Sequence, residues 1–317
     1  LSLTQEGGFF SFIIPKSLAF SQKWASARQL ILDKLGIACD ASKAFKEVLL
    51  EQMIIVVSQK FSSQPHYEAI SFEKDRERER FSVPKKISTT TGSILMGITE
   101  KELEIFHKLA SSNLFMKDIS KTARGLPLQK HVSKDPYGIP AYRGDHIARY
   151  TLCETTETLP DSVLARANKK VSFLRQPKIM SQRIIAHVLH PSDHIILMST
   201  LDNEGVLTLD TVENTVLSDN KFGYSFITGL LNSKLWSWYA YRFIFSKAIR
   251  AMDFDDYYFG KFPLPPIEVN NPRHKKMHDD LVALVEKMLE LNKRLAPIRN
   301  TPCNERDELL REIRPHR

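Results

Sequence analysis

The chain has 317 residues, of which 42% are hydrophobic and 26% are charged, and its formal net charge is +8. This composition is that of an ordinary globular protein with enough residues for about two domains. Its apolar runs fall short of the ~20 residues that a membrane helix needs, and its first residues lack the basic and apolar pattern of a signal peptide. We therefore expect a cytoplasmic protein with no membrane partner.

The three cysteines are Cys39, Cys153 and Cys303. They lie too far apart in sequence for a zinc knuckle, and their odd number does not suit a disulfide framework. We expect them to be reduced and structural.

The first sixty residues show the order strand, helix, strand, strand. Residues 8–15 form a continuous apolar run, residues 17–35 have apolar positions at helical spacing, and residues 37–39 and 53–58 are apolar and partly β-branched. This order predicts half of a doubly wound sheet, whose other half would lie upstream. Because the chain begins at Leu1 and enters a strand almost at once, we expect a fragment of a longer protein.

The next segment changes character. Residues 61–98 are polar and rich in turn-forming residues, and residues 73–80 alternate in charge sign, which is typical of a solvated connector. A helix is predicted over residues 99–111, with an apolar stripe that includes Leu103 and Phe106.

Residues 116–219 contain short extended segments separated by Gly, Pro, Asp and Asn, with strands predicted at 178–190, 194–199 and 205–216. A long apolar helix is predicted from residue 220 to about 245, with Trp236 and Trp238 in the core. An amphipathic helical pair follows at 281–295 and 305–313. This pair would pack either on its own domain or against another part of the protein.

The basic charge is concentrated in one segment. Between Met116 and His190 there are thirteen Lys and Arg residues against six acidic residues, an excess of seven. Clustered Lys and Arg release condensed counterions from phosphates, so this excess favours a polyanionic partner.

Two groups of residues resemble the adenine-N6 DNA methyltransferases and the fused type IIG restriction-modification enzymes. Gly7-Gly-Phe-Phe-Ser-Phe-Ile-Ile-Pro15 is similar to the fifth strand of that family's cofactor-binding sheet, and Met53-Ile-Ile-Val-Val57 to its seventh. The resemblance assigns Phe45 the catalytic-site role of stacking on the flipped adenine in the intact enzyme.

The second group resembles the TaqI-like target-recognition domain that follows the catalytic domain in these enzymes. Its four segments occur in family order: Ala141-Tyr-Arg-Gly-Asp-His-Ile-Ala-Arg-Tyr150, Pro177-Lys-Ile-Met-Ser-Gln-Arg183, Leu231-Asn-Ser-Lys-Leu235 and Phe262-Pro-Leu-Pro-Pro-Ile267.

The resemblance implies an α/β plus α+β fold, in which the end of a class I methyltransferase (Rossmann-like) sheet precedes a mixed α+β recognition domain and a C-terminal helical pair. The expected organisation is a methyltransferase remnant at 1–72, a connector and helix at 73–112, a target-recognition domain at 113–267 and a helical extension at 268–317.

The motifs of catalysis are missing from the sequence. A methyltransferase of this family needs a glycine-rich loop for S-adenosylmethionine and an Asn- or Asp-Pro-Pro-Tyr/Phe tetrapeptide, and the chain has neither. Asp135-Pro-Tyr-Gly138 lacks the second proline and is predicted to be a turn. Asp253, Asp255 and Asp256 are predicted to lie in a capped or solvated loop and not to bind metal. We expect no cofactor in this chain and S-adenosylmethionine in the full-length protein.

Duplex DNA is the partner that these patterns imply, together with a methyltransferase portion and, in a type IIG enzyme, a nuclease portion. Arginine can contact guanine edges and lysine mainly contacts phosphates. We therefore predict base or backbone contacts from Arg143, Arg149 and Arg183, and phosphate contacts from Lys121, Arg124 and Lys178.

Two alternatives stay open. The chain could be a stand-alone specificity module that works with a separate methyltransferase subunit, or an interaction protein whose helical tail binds a partner other than DNA. On the leading hypothesis it recognises DNA but does not transfer methyl groups by itself.

Overall fold

A computed structural model describes residues 5–42, 50–73, 76–219, 221–249, 253–268 and 270–314. Phe45, predicted to stack on a flipped base, lies outside these residues. The strands of the described chain are β1 (Phe9–Pro15), β2 (Leu35–Asp40), β3 (Gln52–Ser58), β4 (His66–Glu73), β5 (Arg76–Pro84), β6 (Ser120–Arg124), β7 (Ile139–Tyr142), β8 (Ile147–Ala148), β9 (Thr151–Leu152), β10 (Thr158–Leu159), β11 (Lys178–Gln182), β12 (Ala186–Val188), β13 (His194–Ile196), β14 (Ser199–Asp202), β15 (Leu207–Thr208) and β16 (Val212–Leu217).

The helices alternate with these strands and dominate the last hundred residues. They are α1 (Ala25–Leu32), α2 (Lys85–Thr91), α3 (Glu100–Leu109), α4 (Met116–Ile119), α5 (Asp161–Leu164), α6 (Asn168–Leu174), α7 (Tyr224–Leu231), α8 (Lys234–Tyr239), α9 (Asp256–Phe259), α10 (Pro272–Leu295) and α11 (Asn304–Ile313). The fold class is mixed α+β. Within the described residues, no helix combines the length and apolarity that crossing a membrane requires.

The chain divides into two compact units. Unit 1 comprises Leu1–Ser111, His187–Ile195 and Trp238–Met252, and unit 2 comprises Ser112–Ala186, Ile196–Ser237 and Asp253–Arg317. The chain passes between the units several times, so neither unit is a single continuous segment.

Unit 1 is built on a five-stranded sheet of order β1-β3-β2-β4-β5. The pair β2–β4 is parallel, whereas β1–β3, β2–β3 and β4–β5 are antiparallel. The predicted order strand, helix, strand, strand is present as β1, α1, β2 and β3. The sheet contains both parallel and antiparallel strand pairs, whereas the strands in half of a doubly wound sheet are parallel.

The prediction of a connector at residues 61–98 is wrong where β4 and β5 lie, because these two strands pair as an antiparallel hairpin. The alternating charges belong to β5, which lies at the edge of the sheet, and charged side chains on an edge strand discourage pairing with other chains. Arg80 pairs across the hairpin with Glu68 at 2.5 Å. The fully buried Tyr67 anchors the hairpin, because its hydroxyl hydrogen-bonds Ser88 and the carbonyl of Leu95.

The predicted helix at 99–111 is present as α3. It begins with a capping box, in which Thr99 and Glu102 satisfy each other's backbone N–H groups. Its apolar face packs in unit 1, where the ring of Phe106 lies 4.9 Å from that of Phe243.

Unit 2 contains a four-stranded antiparallel sheet of order β14-β11-β16-β6 and a three-stranded sheet of order β10-β7-β15. The strand predicted at 178–190 is shorter, because the chain leaves β11 after Gln182. The backbone of Arg183 then bonds two other segments. Its N–H donates to Thr211 O at 3.0 Å, and its carbonyl accepts from Phe254 N at 2.6 Å.

The predicted amphipathic helical pair is present as α10 and α11, and it packs on its own unit. Val285, Met288, Leu291 and Leu295 of α10 form a buried cluster with Leu309 and Ile313 of α11. α10 also packs against α7, at Gly229. A Cβ there would lie 2.8 Å from the side chain of Val285, so only glycine permits this approach.

A buried ion pair organises the centre of unit 2. The ammonium of Lys178 on β11 contacts the carboxylate of Asp202 at the end of β14 and donates to Val206 O at 2.9 Å. The same carboxylate accepts from the backbone N–H groups of Glu204, Gly205 and Val206 at 2.9, 3.0 and 2.9 Å. One side chain therefore fixes the turn from β14 into β15.

We predict that Asp202→Ala lowers the free energy of unfolding by about 3–5 kcal/mol, because it leaves a buried charge unpaired. Urea denaturation followed by tryptophan fluorescence measures the change. Lys287→Gln is the control, since it removes a half-exposed pair with Glu312 and should change stability little. Equal stabilities of the two variants would contradict the assignment.

Candidate nucleic-acid interface

The Leu231-Asn-Ser-Lys-Leu235 segment breaks the helix that was predicted from 220 to 245. The side chain of Asn232 accepts from Ser199 N at 3.0 Å and donates to Ser199 O at 2.9 Å, so it pairs with the backbone of β14 as another strand would. Ser233 then accepts from Trp236 N at 3.1 Å and starts α8. The motif therefore docks the end of α7 on the sheet.

The Phe262-Pro-Leu-Pro-Pro-Ile267 segment closes unit 2 against its first residues. Leu264 N donates to Leu114 O at 2.8 Å, and Met116 N donates to Phe262 O at 2.9 Å. The buried ring of Phe262 stacks on Trp236 with centroids 4.5 Å apart. Both of these motifs support the scaffold.

Two of the predicted phosphate contacts, Lys121 and Arg124, lie on β6, an edge strand of the four-stranded sheet. Both side chains are exposed. Arg124 donates to the carbonyl and the carboxylate of Asp210 at 2.8 and 2.7 Å. The pKa of Lys170 is lowered, first by burial of its ammonium and then by the positive charge of the nearby Arg124. Because they are three residues apart on a regular strand, the side chains of Lys121 and Arg124 point to opposite faces of the sheet, and both are open to solvent.

Arg143 lies in a tight turn between β7 and β8. Its backbone N–H donates to Nδ1 of His146 at 2.9 Å, and its Nε donates to Glu157 at 2.5 Å. Gly144 N donates to the hydroxyl of Thr211 at 2.9 Å. A Cβ at Gly144 would lie 2.8 Å from the backbone oxygen of Thr211, so glycine is needed for this contact.

A pocket of about 370 Å³ opens beside this turn. It brings the turn together with the end of β11 and the start of β16, and it is lined by Arg143, Gly144, Asp145, Gln182, Ile184 and Thr211. Of the six predicted DNA contacts, Arg143 alone is among these lining residues, and Arg183 lies between two of them in sequence.

Arg149 is partly buried and holds the scaffold together. Its guanidinium donates to Asn232 O at 2.5 Å, at the end of α7. The carbonyl groups at a helix C-terminus attract cations. This contact therefore accounts for the positive charge of Arg149 without a ligand.

Arg183 lies in an internal ionic network. It contacts Glu213 at 2.8 Å and Asp253 at 3.4 Å, and only 17% of its side chain is exposed. Burial raises the pKa of the Glu213 carboxyl to about 7, against the opposing effect of Arg183. Arg183 is therefore committed largely to neighbours within unit 2.

The prediction that Lys178 contacts a phosphate does not fit the structure. Its side chain is fully buried, and its charge is balanced by Asp202. The period-2 pattern of β11 did not reveal this, because a lysine within a strand is usually on the solvent side.

Asp135 and Asp255 lie in the local structures that the sequence predicts for them. Asp135 starts a turn, since Gly138 N donates to its carbonyl at 3.0 Å, as predicted. Asp255 caps α9 by accepting from Tyr257 N, which agrees with a capped loop.

Sequence reasoning missed the uncharged side of the pocket. Gln182 ends β11, and Ile184 and Thr211 lie between strands, although all three were predicted to lie within strands. The acidic partners Asp202 and Glu213 were also missed. Sequence alone does not select which basic residues pair with these acids.

Residues 139–264 match the TaqI-like C-terminal specificity domain. A solved structure described as the type IIG restriction endonuclease BpuSI is similar over 89% of this chain, with 11% sequence identity and a TM-score of 0.34. The chain spans 42% of the length of that protein. No match to the chain was found among curated proteins.

We predict that ionisation of Glu213 destabilises unit 2 between pH 4.5 and about 7. The folded state keeps the proton there while the unfolded state loses it, so stability falls as pH rises, by at most about 1.4 kcal/mol per pH unit. Thermal denaturation of the wild type and of Glu213→Gln across pH 5–8 measures the difference. A difference that does not vary with pH would contradict the raised pKa.

Proposed function

We propose that this chain recognises duplex DNA as the specificity portion of an adenine-N6 DNA methyltransferase or restriction-modification protein. The observation that carries the proposal is the match of residues 139–264 to the TaqI-like C-terminal specificity domain. Most of the matched residues lie in unit 2, and the edge strand β6 of that unit carries the exposed basic residues Lys121 and Arg124.

The exposed basic residues supply the contacts that do not depend on sequence. Lys121 and Arg124 lie on an edge strand, where no further strand of the described chain covers them. Their charges can neutralise phosphates along a duplex and fix the register of the protein on it. Arg124 would exchange its exposed partner Asp210 for a phosphate at modest cost, because surface ion pairs are weak.

Methyl transfer requires residues that this sequence lacks. We propose that S-adenosylmethionine is bound by a separate portion of the protein, which carries the glycine-rich loop and the catalytic tetrapeptide. Phe45 would then contribute to a site shared with that portion.

The outer edge of β1 is where we place this catalytic portion. β1 pairs with β3 on one side, and no strand of the described residues pairs with its other side. Phe12 and Ile13 are both more than half exposed, although they are large and apolar. An added strand would satisfy the free backbone groups, and the elements that accompany it could pack on these side chains, which point to opposite faces of the sheet. A fused domain and a separate methyltransferase subunit fit this edge equally well, and the upstream reading frame distinguishes them.

We predict that the purified chain binds mixed-sequence duplex DNA weakly, with an affinity that falls steeply as salt rises. Lys121→Ala combined with Arg124→Ala should lower the slope of log affinity against log salt by about 1–2, since each phosphate contact contributes about 0.9. Fluorescence anisotropy from 25 to 200 mM salt, as a rough range, measures both. The control is Lys275→Ala combined with Lys293→Ala on α10. Indifference to DNA at low salt would favour the interaction-protein alternative.

We also predict that the chain alone transfers no methyl groups. The test is incorporation of label from methyl-labelled S-adenosylmethionine into DNA, with a complete adenine methyltransferase as positive control. Incorporation by this chain would contradict the proposed division of labour.

A further inference from the structure

The pocket beside Arg143 has the chemistry of a base-recognition site. We propose that it contacts the major-groove edge of a guanine–cytosine pair, with Arg143 on the guanine, and this inference rests on the proposed function. It makes Arg143 a residue that determines specificity, distinct from the phosphate contacts of β6.

The guanidinium of Arg143 is held in a defined orientation. Its Nε donates to Glu157, whereas Nη1 and Nη2 have no hydrogen-bond partner in the described part of the chain. About a third of the side chain is exposed, at the pocket wall. Two parallel N–H donors of this kind match the O6 and N7 acceptors of guanine, which is the commonest specific contact in the major groove.

Acceptors also line the pocket. The Nε2 of Gln182 donates to Ile147 O at 2.6 Å, which orients the amide, and its oxygen has no hydrogen-bond partner among the described residues. Asp145 is a carboxylate with 77% of its side chain exposed. Cytosine presents an amino donor in the major groove, so these oxygens suit the base that pairs with guanine.

The same groups disfavour a phosphate at this position. A phosphate beside Arg143 would meet the negative charge of Asp145 and the apolar side chain of Ile184, which is 64% exposed. An aliphatic surface with donors and acceptors together is what a base edge requires.

The pocket is also rigid enough to discriminate. Gly144 N donates to the hydroxyl of Thr211, and Tyr142 O accepts from Leu209 N at 2.8 Å, so hydrogen bonds tie the turn to the segment that precedes β16. Recognition needs donors that are held in place before binding, because a loose arginine adapts to many acceptors.

Selection from a random-sequence duplex pool by the 317-residue chain tests the inference. We expect the wild type to enrich a motif with a near-invariant guanine. Arg143→Ala and Arg143→Lys should both relax that position, with a loss of discrimination on the order of 10- to 100-fold, since lysine lacks the planar fork. Lys121→Ala is the control, because it should weaken binding to all sequences and leave the motif unchanged.

Replacement of the selected guanine by 7-deazaguanine provides a second measurement. It should weaken binding by the wild type and have no effect on Arg143→Ala, because the N7 contact is already lost. Two results would overturn the inference that this pocket recognises a base: a motif that survives both Arg143→Ala and Arg143→Lys, or duplex binding without any enriched motif. Neither result would contradict DNA binding by the chain. Failure of the wild type to bind any duplex would overturn the proposed function itself. Melting temperatures of the variants identify any that do not fold.

Discussion

Unit 2 depends on the ion pair and the hydrogen bonds that the carboxylate of Asp202 makes. This carboxylate balances the buried ammonium of Lys178 and accepts three backbone N–H groups, so it fixes β11, β14 and the turn into β15 at one point. A buried charge pair is stable only when its remaining hydrogen-bonding capacity is satisfied, as it is here. Since β11 also carries Gln182, the position of the pocket follows from this same constraint.

The basic residues of this segment divide into two groups with different roles. Lys178, Arg149 and Arg183 are buried or paired within the scaffold, where they contact Asp202, Asn232 and Glu213. Lys121, Arg124 and Arg143 face outward to a greater degree. The net charge of the segment therefore overstates the number of residues that can meet DNA, and the exposed ones lie on β6 and at the Arg143 pocket.

Much of the fold could be predicted from local pattern, and the failures have physical causes. The order of β1, α1, β2 and β3 and the pair α10–α11 follow from apolar periodicity. The hairpin β4–β5 was missed because its charges mark an edge strand as readily as a solvated loop. The break at Asn232 depends on a contact with Ser199, 33 residues away, and the end of β11 depends on Thr211 and Phe254. Such long-range partners leave no local signal, and the pocket is built from them.

The central claim is that two surfaces of unit 2, the β6 edge and the Arg143 pocket, meet duplex DNA. Hydrogen–deuterium exchange of the chain, measured with and without a saturating duplex at low salt, tests this most directly. The account predicts slower exchange in residues 120–124, 143–147 and 182–185, with little change in α10 and α11. Protection confined to those C-terminal helices or to unit 1, or no protection in any segment, would contradict it.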